Sequence, residues 1–411
     1  MIKSASLSLL ALLAAAPAAH AGQIGDVFVI ALENHNFTQP STYTSTQQIF
    51  GNPAAPFINS LITAGNPNSV DVSYASNYTN VPVQTASSPS GAGAVHPSEP
   101  NYIWSEAGQT APNGVRTDAD PSAAAKNILP ASTPSLSAIL QANGKTWTSY
   151  QEDTQLVTVG GKLTNTVKPS SQYTVPLTSL SGTSSTYTNP YNGSHQDNYA
   201  PKHDPQVFFS ATNGASSAQN YAPLQALATD LANNTVSNYN FISPDQFNDM
   251  HSTLSGGFTY NGVHYTGDAA SIAQGDNFLA QIVPLIEASQ AFKNNGMIVI
   301  WNDETEGDGA STAGFTSTEI VISPLAKGNA YTNTTSYTHS SDLRTFQEIF
   351  GVDPATGTPW IGDAANATDL SGLLKAGALT AVPETSTWAM MLAGFAGLGL
   401  VGRRRKRALA A

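Results

Sequence analysis

Two continuous apolar runs that end in carboxylates constrain this chain more than any other feature. Asp26-Val27-Phe28-Val29-Ile30-Ala31-Leu32 stops at Glu33-Asn34, and Met297-Ile298-Val299-Ile300-Trp301 stops at Asn302-Asp303-Glu304. A strand covered on one face alternates apolar and polar side chains, whereas an unbroken run is buried on both faces. Tyr239-Asn240-Phe241-Ile242 and Glu319-Ile320-Val321-Ile322 are shorter strands of the same kind, each closed by Ser-Pro. Helical patterns over 136–142, 223–231 and 278–292 fall between them, the last with Phe278, Ile282, Leu285 and Ile286 on one face. Strands alternating with helices predict an α/β fold on a mainly parallel central sheet flanked by helices. Residues 155–220, rich in Ser, Thr, Asn, Gly and Tyr, read as long loops or a cap over that sheet.

Ligands of open α/β sheets bind beyond the carboxyl ends of the strands. If the two long runs lie parallel, Glu33, Asn34, Asp303 and Glu304 meet on one edge. Carboxylates converging there are costly unless a cation neutralises them, and oxygen donors suit a hard divalent ion such as Mg, Ca, Mn or Zn. The alternative is that each pair merely caps the turn after its strand. Composition narrows the chemistry. No cysteine is present, which excludes disulfides, Cys-ligated zinc, iron–sulfur clusters and thiol catalysis. Setting aside Lys3, Glu384 and the tail run Arg403-Arg404-Arg405-Lys406-Arg407 leaves ten cations against 27 acids, a formal −17 for residues 22–381. A body of that charge is repelled by a phosphate backbone, so nucleic acid is not an expected partner.

Seven histidines lie in the body, four of them among carboxylates and hydroxyls: His96, His203, His251 and His339. Read in order, Glu33-Asn34-His35-Asn36-Phe37, His96-Pro97-Ser98-Glu99-Pro100-Asn101-Tyr102, Lys202-His203-Asp204-Pro205, Phe241-Ile242-Ser243-Pro244-Asp245 with Asp249-Met250-His251, Ile300-Trp301-Asn302-Asp303-Glu304 and His339-Ser340-Ser341-Asp342-Leu343-Arg344-Thr345 form a series. It resembles the phosphoesterase family of bacterial phospholipases C and acid phosphatases, within the alkaline phosphatase superfamily, over about residues 25–352. The resemblance implies an alkaline-phosphatase-like sandwich and makes Glu33, Asn34, Asp303 and Glu304 metal ligands. It makes Ser98 the nucleophile, flanked by His96 and Asn101, although the stretch by itself reads as a turn between Pro97 and Pro100. His203, His251 and His339 are then expected to bind phosphoryl oxygens or serve the leaving group, and Asp249 to ligate the metal or orient His251.

The first motif departs from the phospholipase pattern, having Glu-Asn-His-Asn-Phe-Thr where Glu-Asn-Arg-Ser-Phe-Asp is common. The His-Pro-Ser-x-Pro-Asn-Tyr stretch favours the acid phosphatase branch. The implied reaction is attack by Ser98 on a phosphate monoester, then hydrolysis of a phosphoserine. Near these motifs the only cations are Lys202, Arg344 and, less directly, Arg116, so metal and protonated histidine are expected to supply positive charge. Histidine titrates near 6.5, which favours mildly acid conditions. Phospholipase C is the rival with the same metal site. A non-catalytic surface or matrix protein is the rival without one. A sulfatase lacks support, because no Cys/Ser-x-Pro-x-Arg motif occurs.

The two ends read as addresses. Lys3, the apolar stretch 7–16 and Ala19-His20-Ala21 describe a signal peptide over 1–21. Residues 382–411 join Val382-Pro383-Glu384-Thr385 to an apolar segment, 388–402, and then to the basic run. Fifteen residues make a helix of about 22 Å, short of the ~30 Å hydrocarbon core, with Trp388 and the arginines as interfacial anchors. This tail resembles the PEP-CTERM sorting signal, with Val-Pro-Glu-Thr where Pro-Glu-Pro is usual. It implies a Gram-negative envelope or matrix location, transient anchoring in the inner membrane and cleavage by an exosortase-type protease. A permanent anchor is the alternative.

Overall fold

The structure is a computed structural model that describes residues 23–82, 95–110, 117–122, 124–154, 156–159, 162–165, 179–307 and 313–379. The expected signal peptide and sorting tail lie outside the described residues. Among the described residues, no helix is long and apolar enough to cross a membrane.

The central sheet contains β1 (Val27–Leu32), β2 (Val72–Ala75), β3 (Trp147–Gln151), β4 (Tyr221–Pro223), β5 (Tyr239–Ser243), β6 (Met297–Asn302), β7 (Glu319–Ile322) and β8 (Tyr331–Asn333). Their order across the sheet is β8-β2-β7-β6-β1-β5-β3-β4. The two long apolar runs are neighbours and parallel, paired from Val27↔Met297 to Leu32↔Asn302. β5 flanks β1 on the other side, also parallel, as are β3 beside β5 and β4 beside β3. Only β7 runs against the rest, antiparallel to both β6 and β2. The expected mainly parallel α/β sheet is the one found.

Among the described residues the α-helices that cover it are α1 (Pro56–Leu61), α2 (Ser98–Ala107), α3 (Leu136–Ala142), α4 (Ala226–Asn233), α5 (Asp268–Glu287), α6 (Gln290–Lys293) and α7 (His339–Phe350). The period-2 geometry of the strands divides each apolar run between two cores. Val27, Val29, Val299 and Trp301 join Tyr102 of α2, Leu136 of α3 and Phe346 of α7. Phe28, Ile30, Ile298 and Ile300 join Ile58 of α1, Leu227 of α4 and Phe278 of α5. That is why β1 and β6 carry no polar alternation.

Two helices differ from their sequence patterns for physical reasons. The 278–292 pattern spans the second half of α5 and, past a break at 288–289, most of α6; the first turns of α5 look polar. There Asp276 accepts the backbone N–H groups of Phe57 and Ile58 at 2.9 and 2.7 Å, capping α1. Gly275 lets Met250 pack against the helix, since an added Cβ would sit 2.3 Å from Met250 Cγ. The 223–231 pattern begins as β4, and its helix starts at Ala226.

The described residues of 155–220 include antiparallel strand pairs, Leu156–Val159 with Lys162–Asn165 and Leu180–Thr183 with Gln196–Tyr199. Beyond Tyr199 the chain is core, not covering loop: Val207, Phe208 and Phe209 pack beneath the sheet with α2 and α3.

Candidate active site

The parallel register of β1 and β6 delivers Glu33-Asn34 and Asp303-Glu304 to the same sheet edge. Asp303 N–H donates to the Leu32 carbonyl at 2.9 Å, and Glu33 N–H to that of Asp249 at 2.8 Å, so three strand ends are tied together. Asn34 Nδ2 donates to Glu304 Oε1 at 3.2 Å.

Ser98 opens α2 where a turn was the local reading. Pro97 precedes the helix and Pro100 sits in its first turn, where a missing N–H breaks no intrahelical bond. Helical spacing then puts Ser98, Asn101 and Tyr102 on one face. Ser98 Oγ lies 2.9 Å from Glu33 Oε2 and 3.2 Å from Asn34 Oδ1. Asn101 Nδ2 donates to Glu304 Oε2 at 3.0 Å, and His96 Nδ1 stands 2.8 Å from the same oxygen. Ser98, Asn101 and His96 therefore surround the four carboxyl-edge residues.

His203 and Asp249 complete the cluster. His203 Nε2 is 3.3 Å from Glu33 Oε1, Nδ1 is 3.4 Å from Asp249 Oδ2, and the ring stacks on Tyr102 at 4.9 Å. Glu33, His203 and Asp249 each offer a donor atom, all within 4.8 Å of one another. Burial pushes Glu33 up to about 7 and lifts Asp303 and Asp249 well above the carboxylate range, with the Glu33 charge adding to both. Glu33 Oε1, Asp249 Oδ2 and both oxygens of Asp303 are buried without a hydrogen-bond partner. Orphaned acceptors from three carboxylates in one place are what a divalent cation satisfies, so the donor set fits a metal.

Two expectations change. Burial first, and then the positive charges of Lys202 and His251, hold His203 well below its usual value, so it is a neutral ring and not a protonated donor. His339 does not face the cluster: its Nε2 bonds the Asp303 carbonyl at 2.7 Å and its Nδ1 meets Tyr78 Oη at 2.6 Å. Asp249 orients the backbone of His251 by accepting its N–H at 2.8 Å, while the exposed ring bonds Ser252 Oγ at 3.1 Å. Of the cations, Lys202 pairs with Asp118 and bears on Glu33 and Asp303. Arg344 turns away to Glu348 and Trp360, and Arg116 lies outside the described residues. Tyr102 was the neighbour missed; the Ser98–Tyr102 spacing of four is the signal that finds it.

A model of the phosphoesterase family matches residues 90–353. The chain belongs to the phosphoesterase family. Membership makes it a hydrolase of ester bonds, and its sequence motifs fall on one edge of one sheet. No curated protein matches this phosphoesterase. Among solved structures it is similar to a Vibrio parahaemolyticus protein of the alkaline phosphatase superfamily, at 10% identity over 86% of this chain and 71% of that one, TM-score 0.46. It is also similar to the lipoteichoic acid synthase LtaP of Listeria monocytogenes, at 11% over 85% and 77%, TM-score 0.45. A third is the sulfatase PsFucS1 of Pseudoalteromonas sp., at 10% over 83% and 70%, TM-score 0.42.

Proposed function

We propose that this phosphoesterase is an exported, metal-dependent acid phosphatase that hydrolyses phosphate monoesters through a phosphoserine at Ser98. The observation that carries the reading is the Ser98 hydroxyl at the start of a ten-residue helix, held against Glu33 and Asn34 beside the unpartnered Asp303 carboxylate. Glu33, Asn34, Asp303 and Glu304 would hold the cation, with Asp249 and His203 alongside. Bound there, it supplies Lewis-acid polarisation and favours an ionised serine.

The chain's own residues do the rest. Glu33 and Asn34 aim Ser98 Oγ, and Asn101 and His96 pin Glu304 so that the carboxylates keep their places. The N-terminal end of α2 presents partial positive charge to an incoming phosphoryl group. Ser98 Oγ, its proton released to solvent, forms a bond to phosphorus as the P–O bond of the ester breaks, and the leaving alcohol takes a proton from His251 at the exposed rim. Water then attacks phosphorus, its oxygen staying on the phosphate and one of its protons restoring the Ser98 hydroxyl as the Ser98 Oγ–P bond breaks, and inorganic phosphate leaves. His203, neutral and stacked on Tyr102, keeps Glu33 and Asp249 apart.

Hydrolysis of p-nitrophenyl phosphate by the purified chain, with and without chelator, tests the reading. Turnover that chelator abolishes, acid-quench capture of phosphate on Ser98, and no turnover of p-nitrophenyl sulfate support it. Metal without monoesterase activity, but with release of headgroup from phosphatidylcholine micelles, replaces it with phospholipase C. Neither metal nor turnover replaces it with a surface or matrix role. Export through residues 1–21 and anchoring through 388–402, followed by exosortase-type cleavage, belong to the same proposal. Fractionation of cells making the chain with and without residues 382–411 tests them.

A further inference from the structure

A second group of buried carboxylates sits two strands away on the same edge. β3 and β5 pair in parallel up to Gln151↔Ser243, so the residues that follow them, Glu152-Asp153 and Asp245, converge. Glu152 N–H donates to the Ser243 carbonyl at 3.0 Å, and Asp245 N–H returns to Glu152 Oε2 at 2.9 Å. All three side chains are 0% exposed. Each presents an oxygen within 4.8 Å of the others, the span set by calcium–oxygen bonds of about 2.3–2.6 Å on opposite sides of one ion.

One oxygen of the trio is left over. Asp245 Oδ1 accepts the N–H groups of Phe247 and Asn248 at 3.1 and 2.8 Å, which fixes the carboxyl plane. Its other oxygen, Oδ2, is buried and has no partner. With Oδ1 engaged by the turn, Oδ2 is the oxygen left to the group. Among the described residues, no Lys, Arg or His pairs with any of the three. Asp197, 1% exposed and unpartnered at both oxygens, adds its charge to Asp153.

The surrounding donors hold the carboxylates without neutralising them. Asn189 and Asn248 both donate to Glu152 Oε1, at 2.6 and 2.7 Å, and Tyr187 donates to Asp153 Oδ1. Such neutral outer partners orient ligands around an ion. With oxygen donors only and no imidazole, the group selects a hard cation over zinc.

We infer that Glu152, Asp153 and Asp245 form a calcium site, separate from the Ser98 centre, that fastens the loop carrying Asp249 and His251. The loop runs directly from Asp245 to His251 and crosses to the neighbouring segment through Gln246 N–H on the Asn198 carbonyl, at 2.9 Å. The ion would join two pieces of chain, the turn after β3 and the loop after β5.

Terbium, which takes calcium sites, reports the ion directly because Tyr187 touches Asp153. The full chain is stripped with chelator, and tyrosine-sensitised terbium emission is recorded along with melting temperature on adding calcium. Wild type and Glu33→Gln are expected to give emission that calcium displaces, and a rise in Tm on the order of 3 °C. Asp153→Asn/Asp245→Asn is expected to lose at least about ten-fold of the emission and all of the calcium-dependent rise. Without calcium the double variant melts no lower than wild type, because it removes buried charge. The same response in wild type and double variant, or none in either, overturns the site. If the double variant does not fold, Asp245→Asn alone keeps the Oδ1 turn bonds and changes only the free oxygen, with the same outcomes deciding.

Discussion

The Ser98 and Glu152 clusters occupy the same edge of the same sheet, two strands apart, and are built from the same acids. Burial raises Glu33 to about 7 and Glu152 to about 8. What separates them is the company. Around Glu33 stand a hydroxyl, two imidazoles and the first turn of α2, with His96 about one-third exposed and His251 at the rim. Around Glu152 stand Asn189, Asn248 and Tyr187, amides and a phenol that donate but neither attack nor titrate near neutrality. Carboxylates at strand ends supply a place for a cation; the neighbours decide whether reaction or rigidity follows.

That contrast breaks first at Ser98. Ser98→Ala is expected to lower kcat for p-nitrophenyl phosphate by about 10³-fold or more, whereas Asp245→Asn with calcium absent should change it far less. Comparable losses in steady-state assays would erase the distinction. Next comes His251→Gln, expected to cost about 10- to 100-fold on an alkyl phosphate and much less on p-nitrophenyl phosphate, whose leaving group needs no proton. Equal losses on both substrates would remove His251 from leaving-group protonation.

Asp204 sharpens the comparison from a third position. It is a buried carboxyl bonded by Ser149 Oγ at 3.1 Å, and burial pushes it up to about 8. An acid raised in the fold withdraws stability as pH climbs from its unfolded value, about 4, to its folded one. Asp204→Asn is therefore expected to stabilise the protein by on the order of 2 kcal/mol at pH 8 and by almost nothing at pH 4. Denaturant melts at the two pH values check it, and a gain independent of pH would assign the effect elsewhere. The smallest effect belongs to Tyr78, whose hydroxyl joins His339 Nδ1 and Asp342 Oδ2, both at 2.6 Å, behind Asp303. Tyr78→Phe should cost about 1–2 kcal/mol of stability and leave kcat within about two-fold; a large fall in kcat would bring His339 back into the reaction.

Much of this was legible because the signals were physical. The unbroken runs of β1 and β6 could be buried only on both faces, and their terminal carboxylates had to meet once the strands were parallel neighbours. Ser98 was legible as a motif but not as a helix, since two prolines within four residues argue locally for a turn and only the first-turn position tolerates them. β2, β3 and β8 were missed because Val72–Ala75, Trp147–Gln151 and Tyr331–Asn333 are short and carry serine, threonine, glutamine or asparagine. The first half of α5 was missed because its buried face holds Ser271, Gln274 and Asp276; Ser271 bonds back to Asp268 within the helix, and Gln274 and Asp276 bond the backbone of other segments. His203 and His339 looked alike in sequence. Their difference lies in contacts between residues more than thirty positions apart, to which no spacing rule has access.

One strand running backwards sets where this chain can change its length. Because β7 opposes β6, the chain leaves β6 at Asn302 and enters β7 at Glu319 on the same edge of the sheet, the one that carries Ser98. The connection is held at both ends, by Thr305 N–H on Asn80 Oδ1 and Thr316 N–H on the Thr38 carbonyl. Both strand ends are thus fixed on the Ser98 edge by bonds of their own, whatever joins them. The length of chain between those anchors can therefore change without the register of any strand having to be relearned.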